Sequence, residues 1–269
     1  MNRQEILQKY ENEDDRLLVS KLLDKIEFVS QKNTIESTDF LDIHQKNILE
    51  KVLVTLKYKN YAIYGVYPNS ERTIIILYPQ KLEMIFENNS FDYNHMIQII
   101  RIVLPNELRG KYSHRDYLGA IIKIGVKREK IGDILVSADG ADIIVKKEIS
   151  NYLQTSLVEL TRFSKSKISI QNVEEVNITS PKIEIVNIII PSMRMDSIVS
   201  ELIKTSRSKA NEIINVERVF VNGEMVTKNS KLLKEDDIIT VRGKGRFKVK
   251  KILNYTKKGN LVLEVEKYI

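Results

Sequence analysis

Residues 192–223, SMRMDSIVSELIKTSRSKANEIINVERVFVNG, decide how the C-terminal third folds. Met195, Ile198, Val199, Leu202 and Ile203 recur at i, i+3, i+4, i+7 and i+8, which predicts a short amphipathic helix. The pattern breaks at Lys204–Thr205; Ser206 is a good N-cap, and Ala210, Ile213 and Ile214 supply the buried side of a second helix. Arg207, Ser208 and Lys209 fall in its first turn, where unpaired backbone N–H groups favour an anion and two cations oppose the helix dipole. Tolerance of that repulsion implies a negative partner, and phosphate fits. The segment VFVNGEMV (219–226) then predicts a hairpin with Asn222–Gly223 as a type I′ turn.

Outward from this stretch, DDIITVRGKGRFKVKKIL (236–253) reads as strands. In a continuous strand Arg242, Lys244, Arg246 and Lys248 share one face, a track suited to backbone phosphates, unless Gly243 and Gly245 bend the chain. The competing reading is a solvated edge strand whose lysines block aggregation. Charge placement favours the first. The chain of 269 residues carries 43 Lys+Arg and 36 Asp+Glu, a balance of +7. Residues 1–181 hold 25 of each, so the whole excess lies in 182–269, with 18 basic and 11 acidic residues. A balanced body joined to a basic module is the footprint of a protein that meets a polyanion through one end.

Composition excludes several classes. There is no cysteine, which removes disulfide frameworks, thiolate catalysis and cysteine-ligated metal, and is consistent with the cytosol. His44, His95 and His114 are the three histidines and lie in distant segments, so no metal site is expected. The acidic start MNRQEILQKYENEDD is not a secretory signal, and runs such as IIIL (74–77) fall far short of the ~18 apolar residues that a membrane crossing needs.

Upstream, Leu17, Leu18, Leu22, Ile26 and Val29 predict a helix after EDD. A second helix is expected with Ser37 or Thr38 as its cap, Asp39 in its first turn, and Leu41, His44, Ile48 and Val52 on its packed face. YAIYGVY and RTIIILY around PNSE predict a hairpin. From 98 to 173 the pattern is strand (98–105), helix (113–125), strands (132–137 and 141–147), helix (148–160) and strand (166–173), the βαββαβ order of ferredoxin-like domains. Such a sheet is expected to present one open face, the surface on which RNA-recognition motifs stack bases. Its third strand, ADIIVKK, has no aromatic residue, so RNA contact would fall to basic loops: Arg109 and Lys111, His114 and Arg115, and Lys127 and Arg128. The fold class expected is α+β. It comprises an N-terminal α/β domain (1–90), a ferredoxin-like, RRM-like middle domain (91–180) and a basic C-terminal domain (181–269) of two helices and a β-hairpin.

The C-terminal motif resembles the S4 RNA-binding domain. Arg194-Met195-Asp196 stands for its R-L-D, Ser206-Arg207-Ser208-Lys209-Ala210 for its S-R-S-x-A, and Val221-Asn222-Gly223 for its V-N-G. Met195 replaces leucine, a volume-conserving change. At Glu235-Asp236-Asp237 the family usually has glycine before the acid. Taken whole, the chain resembles the YlmH family of S4-domain proteins, through SHRDYLGAIIKIGVKREKIGDILV (113–136) and GKGRFKV (243–249). That resemblance implies a cytoplasmic bacterial factor on the large ribosomal subunit carrying peptidyl-tRNA, linked to rescue of stalled translation. The implied partners are rRNA and tRNA, with no membrane and no small-molecule cofactor, and the chain is expected to act as a monomer. Arg194, Ser206, Arg207, Ser208, Lys209, Asn222, Arg242, Lys244 and Arg246 are the expected RNA-binding residues.

No catalytic residue is expected. His114-Arg115-Asp116 lacks the asparagine, Gly-rich loop and D-F-G of a kinase, and Arg115 and Asp116 are expected to cap or pair at a helix start. The enzyme alternative is an RNA-modifying protein, of pseudouridine synthase or methyltransferase type, anchored by its S4 domain. It needs a catalytic aspartate in strand-loop context or a Gly-rich cofactor loop, and residues 1–181 show neither clearly. A third reading is an adaptor whose first 180 residues bind protein.

Overall fold

The computed structural model describes residues 2–68, 70–178 and 183–268. The chain divides into two compact units, Met1–Thr179 and Ser180–Ile269. The boundary expected around residue 180 falls on 179–182, outside the described residues, as does Asn69 of the PNSE turn.

The first unit begins with α1 (Arg3–Leu7) and α2 (Glu13–Lys32), the latter capped by Asn12, which accepts from the Asp15 N–H at 3.1 Å. On α2, Val19, Leu22 and Val29 face inward, whereas Leu17 is exposed. Next come β1 (Glu36–Ser37), α3 (Ile43–Thr55), β2 (Tyr61–Tyr64), β3 (Ile74–Leu77) and α4 (Glu83–Glu87). The cap of α3 is Asp42, neither Ser37 nor Thr38, and it forms a capping box with Gln45 (2.9 and 3.0 Å). The earlier residues are committed to strand contacts. Thr38 Oγ1 accepts from the Ile75 N–H (2.9 Å), and Ser37 Oγ accepts from Lys146 Nζ (2.7 Å). His44 sits half-buried, 3.5 Å from Asp15.

β1, β3 and β2 form an antiparallel sheet in that order. Strand β3 is IIIL, and none of its four side chains reaches solvent, because both of its faces are covered. Ile75 and Leu77 pack with Val19, Leu22, Leu49 and Leu53 of the helices. Ile74 and Ile76 point the other way, onto a second sheet.

That second sheet is built from β4 (Ile97–Val103), α5 (His114–Lys123), β5 (Ile131–Val136), β6 (Gly140–Lys146), α6 (Ser150–Glu159) and β7 (Lys167–Gln171). Its antiparallel order β5-β6-β4-β7 is the ferredoxin-like arrangement expected from the sequence. Ile100 and Ile102 of β4 pack against Tyr117, Leu153, Leu157 and Phe163 on the helical side. The opposite face is not open. Ile97, Ile99 and Ile144 lie under Phe40, Ile74, Ile76, Tyr78 and Phe86, and the remainder carries Arg101, bound to Asp142 by two hydrogen bonds of 2.8 Å. Asp142 also accepts from the Asn177 N–H (2.8 Å), which draws the chain after β7 across that face. Successive β-strand side chains alternate between faces, so one alternating set of isoleucines serves each side. The result is four layers: helices, three strands, four strands, helices.

The second unit contains β8 (Ile183–Ile190), α7 (Met195–Leu202), α8 (Arg207–Asn215), β9 (Val219–Val221), β10 (Glu224–Met225), β11 (Ile238–Val241), β12 (Gly245–Tyr255) and β13 (Leu261–Tyr268). The strands form one sheet in the order β10-β9-β11-β12-β13-β8, so the unit's first strand pairs with its last. Met195, Ile198, Val199, Ala210 and Ile214 of the two helices pack on Val219, Ile239, Phe247, Val249, Leu263 and Val265.

A Cβ on Gly132 would meet Phe40 at 2.9 Å and Ile144 at 3.0 Å, whereas one on Gly119, in α5, meets nothing within 4 Å. Gly132→Ala is therefore expected to destabilise by about 1–3 kcal/mol, and Gly119→Ala to stabilise by about 0.5–1 kcal/mol, both read from urea unfolding midpoints. Burial between the sheets lowers the Lys146 ammonium to about 8, against the opposing pull of Asp39 and Glu148. The unfolded state then binds more protons between that value and 10.5, so the penalty for charging Lys146 is fully present below pH 8 and disappears above 10.5. Relative to Lys146→Met, the wild type should gain about 3 kcal/mol as pH rises through this window; parallel pH profiles for the two proteins would contradict it.

Candidate nucleic-acid interface

Both helices of the motif are organised by one buried carboxylate. The Asp196 side chain is 3% exposed, at the start of α7, and accepts from Arg194 Nε (3.1 Å) and Nη2 (2.9 Å) and from Arg207 Nη2 (2.9 Å). Its own Ser197 N–H adds a fourth bond at 2.9 Å. Burial pushes this carboxyl up, but the two guanidiniums outweigh it and hold Asp196 below the usual carboxylate range. The negative partner that the first turn of α8 demanded is therefore within the chain. Arg194 and Arg207 still keep 36% and 50% of their side-chain surface exposed, so the buried carboxylate presents two oriented guanidiniums to the outside.

The other motif residues divide by role. Ser206 caps α8 by accepting from the Lys209 N–H (3.2 Å), and Ser208 is exposed beside it. Lys209 pairs with Glu212 at 2.9 Å, both largely in solvent, where such a pair contributes little. Asn222 and Gly223 have φ of 52° and 78°, both positive as the type I′ turn requires. Asn222 shapes that turn: its amide donates to Asp237 (2.8 Å) and accepts from the Ile238 N–H (2.9 Å). Asp236, where the S4 pattern usually has glycine, adopts φ 66° and pairs with Lys248 at 2.9 Å. The left-handed conformation explains the preference for glycine there.

The expected row of cations on one strand is broken. Residues 242–244 form the turn between β11 and β12, closed by the Val241–Gly245 pair, with Gly243 at φ 77°. Arg242 lies over the Phe220 ring at 4.6 Å, Lys244 stands exposed at the turn, and Arg246, on β12, lies over Tyr268 at 5.3 Å. These three residues share one end of a hairpin, not one strand face.

In the first unit the basic loops flank α5. Arg109 pairs with Asp139 (3.2 Å), and Lys111, His114 and Arg115 are exposed at the helix start. Crowding around His114, then the Arg128 charge, lower its imidazole against the pull of Glu71, which disfavours a cation there. Asp116 pairs with Arg162 (3.1 Å) rather than Arg115 and closes a capping box with Ser113. At the other end Lys127 is exposed, while Arg128 donates to the carbonyls of Ile131 (2.6 Å) and Gly132 (3.1 Å); burial, then the Arg72 charge, bring its guanidinium down to about 10. Arg128 is therefore a packing residue. Among the described residues no group of three or more His, Asp or Glu is placed to hold a metal, and no helix is long and apolar enough to cross a membrane.

Segment by segment, the charge is more concentrated than the thirds of the chain suggest. Residues 193–239 hold eight basic and eight acidic residues, whereas 240–269 hold nine and two. Between Asp237 and Glu264 there is no carboxylate, against eight Lys and Arg. The motif-based reading passed over Lys251, Lys257 and Lys258, although this count in short windows marks them.

A family described as "Putative RNA-binding domain in YlmH" matches residues 90–177, and the S4 domain matches 193–239. The Ribosome-associated protein quality control protein P2 of Bacillus subtilis (strain 168) is 27% identical over 250 residues, 91% of this chain and 92% of that protein. The solved structure of the cell division protein ylmH from Streptococcus pneumoniae is 21% identical, covers 62% of this chain and 98% of its own, and has a TM-score of 0.46. The chain thus carries a putative RNA-binding domain of the YlmH type followed by an S4 domain, and over most of its length it is similar to a ribosome-associated quality control protein.

Proposed function

We propose that this chain is a non-catalytic, monomeric factor of the bacterial cytoplasm that binds structured rRNA and tRNA on the large ribosomal subunit, in rescue or quality control of stalled translation. The observation that carries the reading is charge placement: a balanced first unit, and a second whose entire excess lies in one β-hairpin region beside the S4 helices. The relative's printed role in ribosome-associated quality control supports the setting. Recognition is by charge and shape. Arg194 and Arg207, oriented by Asp196, face phosphates; Lys209, Arg242, Lys244 and Arg246 extend the contact, while Ser206 and Asn222 hold the backbone in place. Arg109, Lys111, Arg115 and Lys127 offer a secondary contact, since the sheet face used by other RRM-like domains is filled with side chains.

With about five phosphates neutralised, log affinity for ribosomal subunits should fall against log salt with a slope of roughly −3.5 to −4.5. A flat salt response contradicts the proposal. Replacing Arg207 and Lys209 together by alanine should weaken co-sedimentation with ribosomes without unfolding the chain: the thermal midpoint drops with loss of the Arg207–Asp196 bond, but Arg194 still pairs with the buried carboxylate. Conversion of uridine in ribosomal RNA, or retention of labelled S-adenosylmethionine, would replace the binding-factor reading with an enzyme.

A further inference from the structure

The basic hairpin carries a feature that phosphate neutralisation does not use. The second unit has four aromatic side chains, at Phe220, Phe247, Tyr255 and Tyr268. Phe247 is core, Phe220 is buried beneath Arg242, and Tyr268 lies against Arg246. Tyr255, at the end of β12, is 67% exposed, and its ring has no aromatic, cation–π or side-chain hydrogen-bond partner among the described residues. Most of its surface is therefore open to solvent.

Its surroundings narrow what that is. Tyr255 pairs with Leu261 across the hairpin, and the connecting turn contains Lys257 and Lys258, both exposed. The turn is held shut. Thr256 N–H donates to the Asn260 carbonyl (2.8 Å), Gly259 N–H to the Thr256 carbonyl (2.9 Å), and Asn260 N–H to Thr256 Oγ1 (3.0 Å), with Gly259 at φ 79°. Two irregularities in β12, between Val249 and Lys251 and between Ile252 and Asn254, re-aim the side chains that lead to the tip. A fixed turn presenting one free aromatic ring beside two lysines, in a stretch without a carboxylate, fits a single-stranded nucleotide: the ring takes a base face and the ammonium groups take the adjoining phosphates. Both lie beyond the region that matches the S4 domain.

We propose that the tip of the β12–β13 hairpin is a second RNA-contact element that captures an unpaired nucleobase on Tyr255, with Lys257 and Lys258 on the flanking phosphates. This rests on the reading of the chain as an RNA-binding factor and names the RNA feature it takes: a loop or bulge in place of continuous duplex.

The test is fluorescence anisotropy of the full chain with two labelled RNAs, a stem bearing an unpaired loop and a fully paired duplex of the same length. Tyr255→Ala should weaken loop binding about five-fold or more and leave the duplex unchanged, while Tyr255→Phe retains wild-type affinity for both. Lys257→Ala/Lys258→Ala should make the salt slope for the loop RNA shallower by about 1.4. The proposal is overturned if Tyr255→Ala binds the loop as tightly as wild type, or weakens both RNAs equally. It is also overturned if the tip variants lose binding to phosphatidylglycerol vesicles and not to RNA. Steep, salt-sensitive RNA binding by the wild type with these results removes the hairpin alone; no RNA binding by the wild type removes the proposed function with it.

Discussion

The first unit depends on a strand that has no solvent side. Ile74–Leu77 lies between two layers of apolar side chains, so the helical layer and the four-stranded sheet are held to opposite faces of the same four residues. Each fully buried isoleucine or leucine removes enough apolar surface to contribute about 1.5–3 kcal/mol, and a slip of one residue would exchange the two sets between layers. A Cβ on Gly132 would meet the Phe40 ring at 2.9 Å, so β5 has no room for a side chain beneath the residue that covers it.

That arrangement has a functional consequence. A ferredoxin-like sheet with a bare face can stack bases; here isoleucines, Phe40 and the Arg101–Asp142 pair occupy the face instead. Exposed basic side chains stand instead at either end of α5, Lys111 and Arg115 at one and Lys127 at the other.

In the second unit, electrostatics and packing are divided between neighbouring segments. The residues of the S4 pattern balance in charge, and their two prominent arginines share a carboxylate withdrawn from water. Such an arrangement orients guanidiniums and joins two helices, but adds little net field. The field comes from the hairpins that follow, where cations collect at the ends of the strands and two arginines are laid over aromatic rings.

Periodicity, caps and turn residues were enough to read the βαββαβ order, the paired helices with Ser206 as a cap, and the Asn222–Gly223 turn, because each depends on chain neighbours a few residues apart. The net charge and its C-terminal location were equally legible, since they require only counting. Tertiary structure decided the rest. The sequence does not show that Asp196 answers Arg207, that Asp42 rather than Thr38 caps α3, or that residues 242–244 turn a corner. Nor does it show that a second sheet covers the face on which related folds stack bases. The carboxylate, the cap and the covered face were settled by groups apart in the chain competing for the same hydrogen bonds or apolar surface, and the turn by the positive φ of Gly243, one of two outcomes that the glycines allowed.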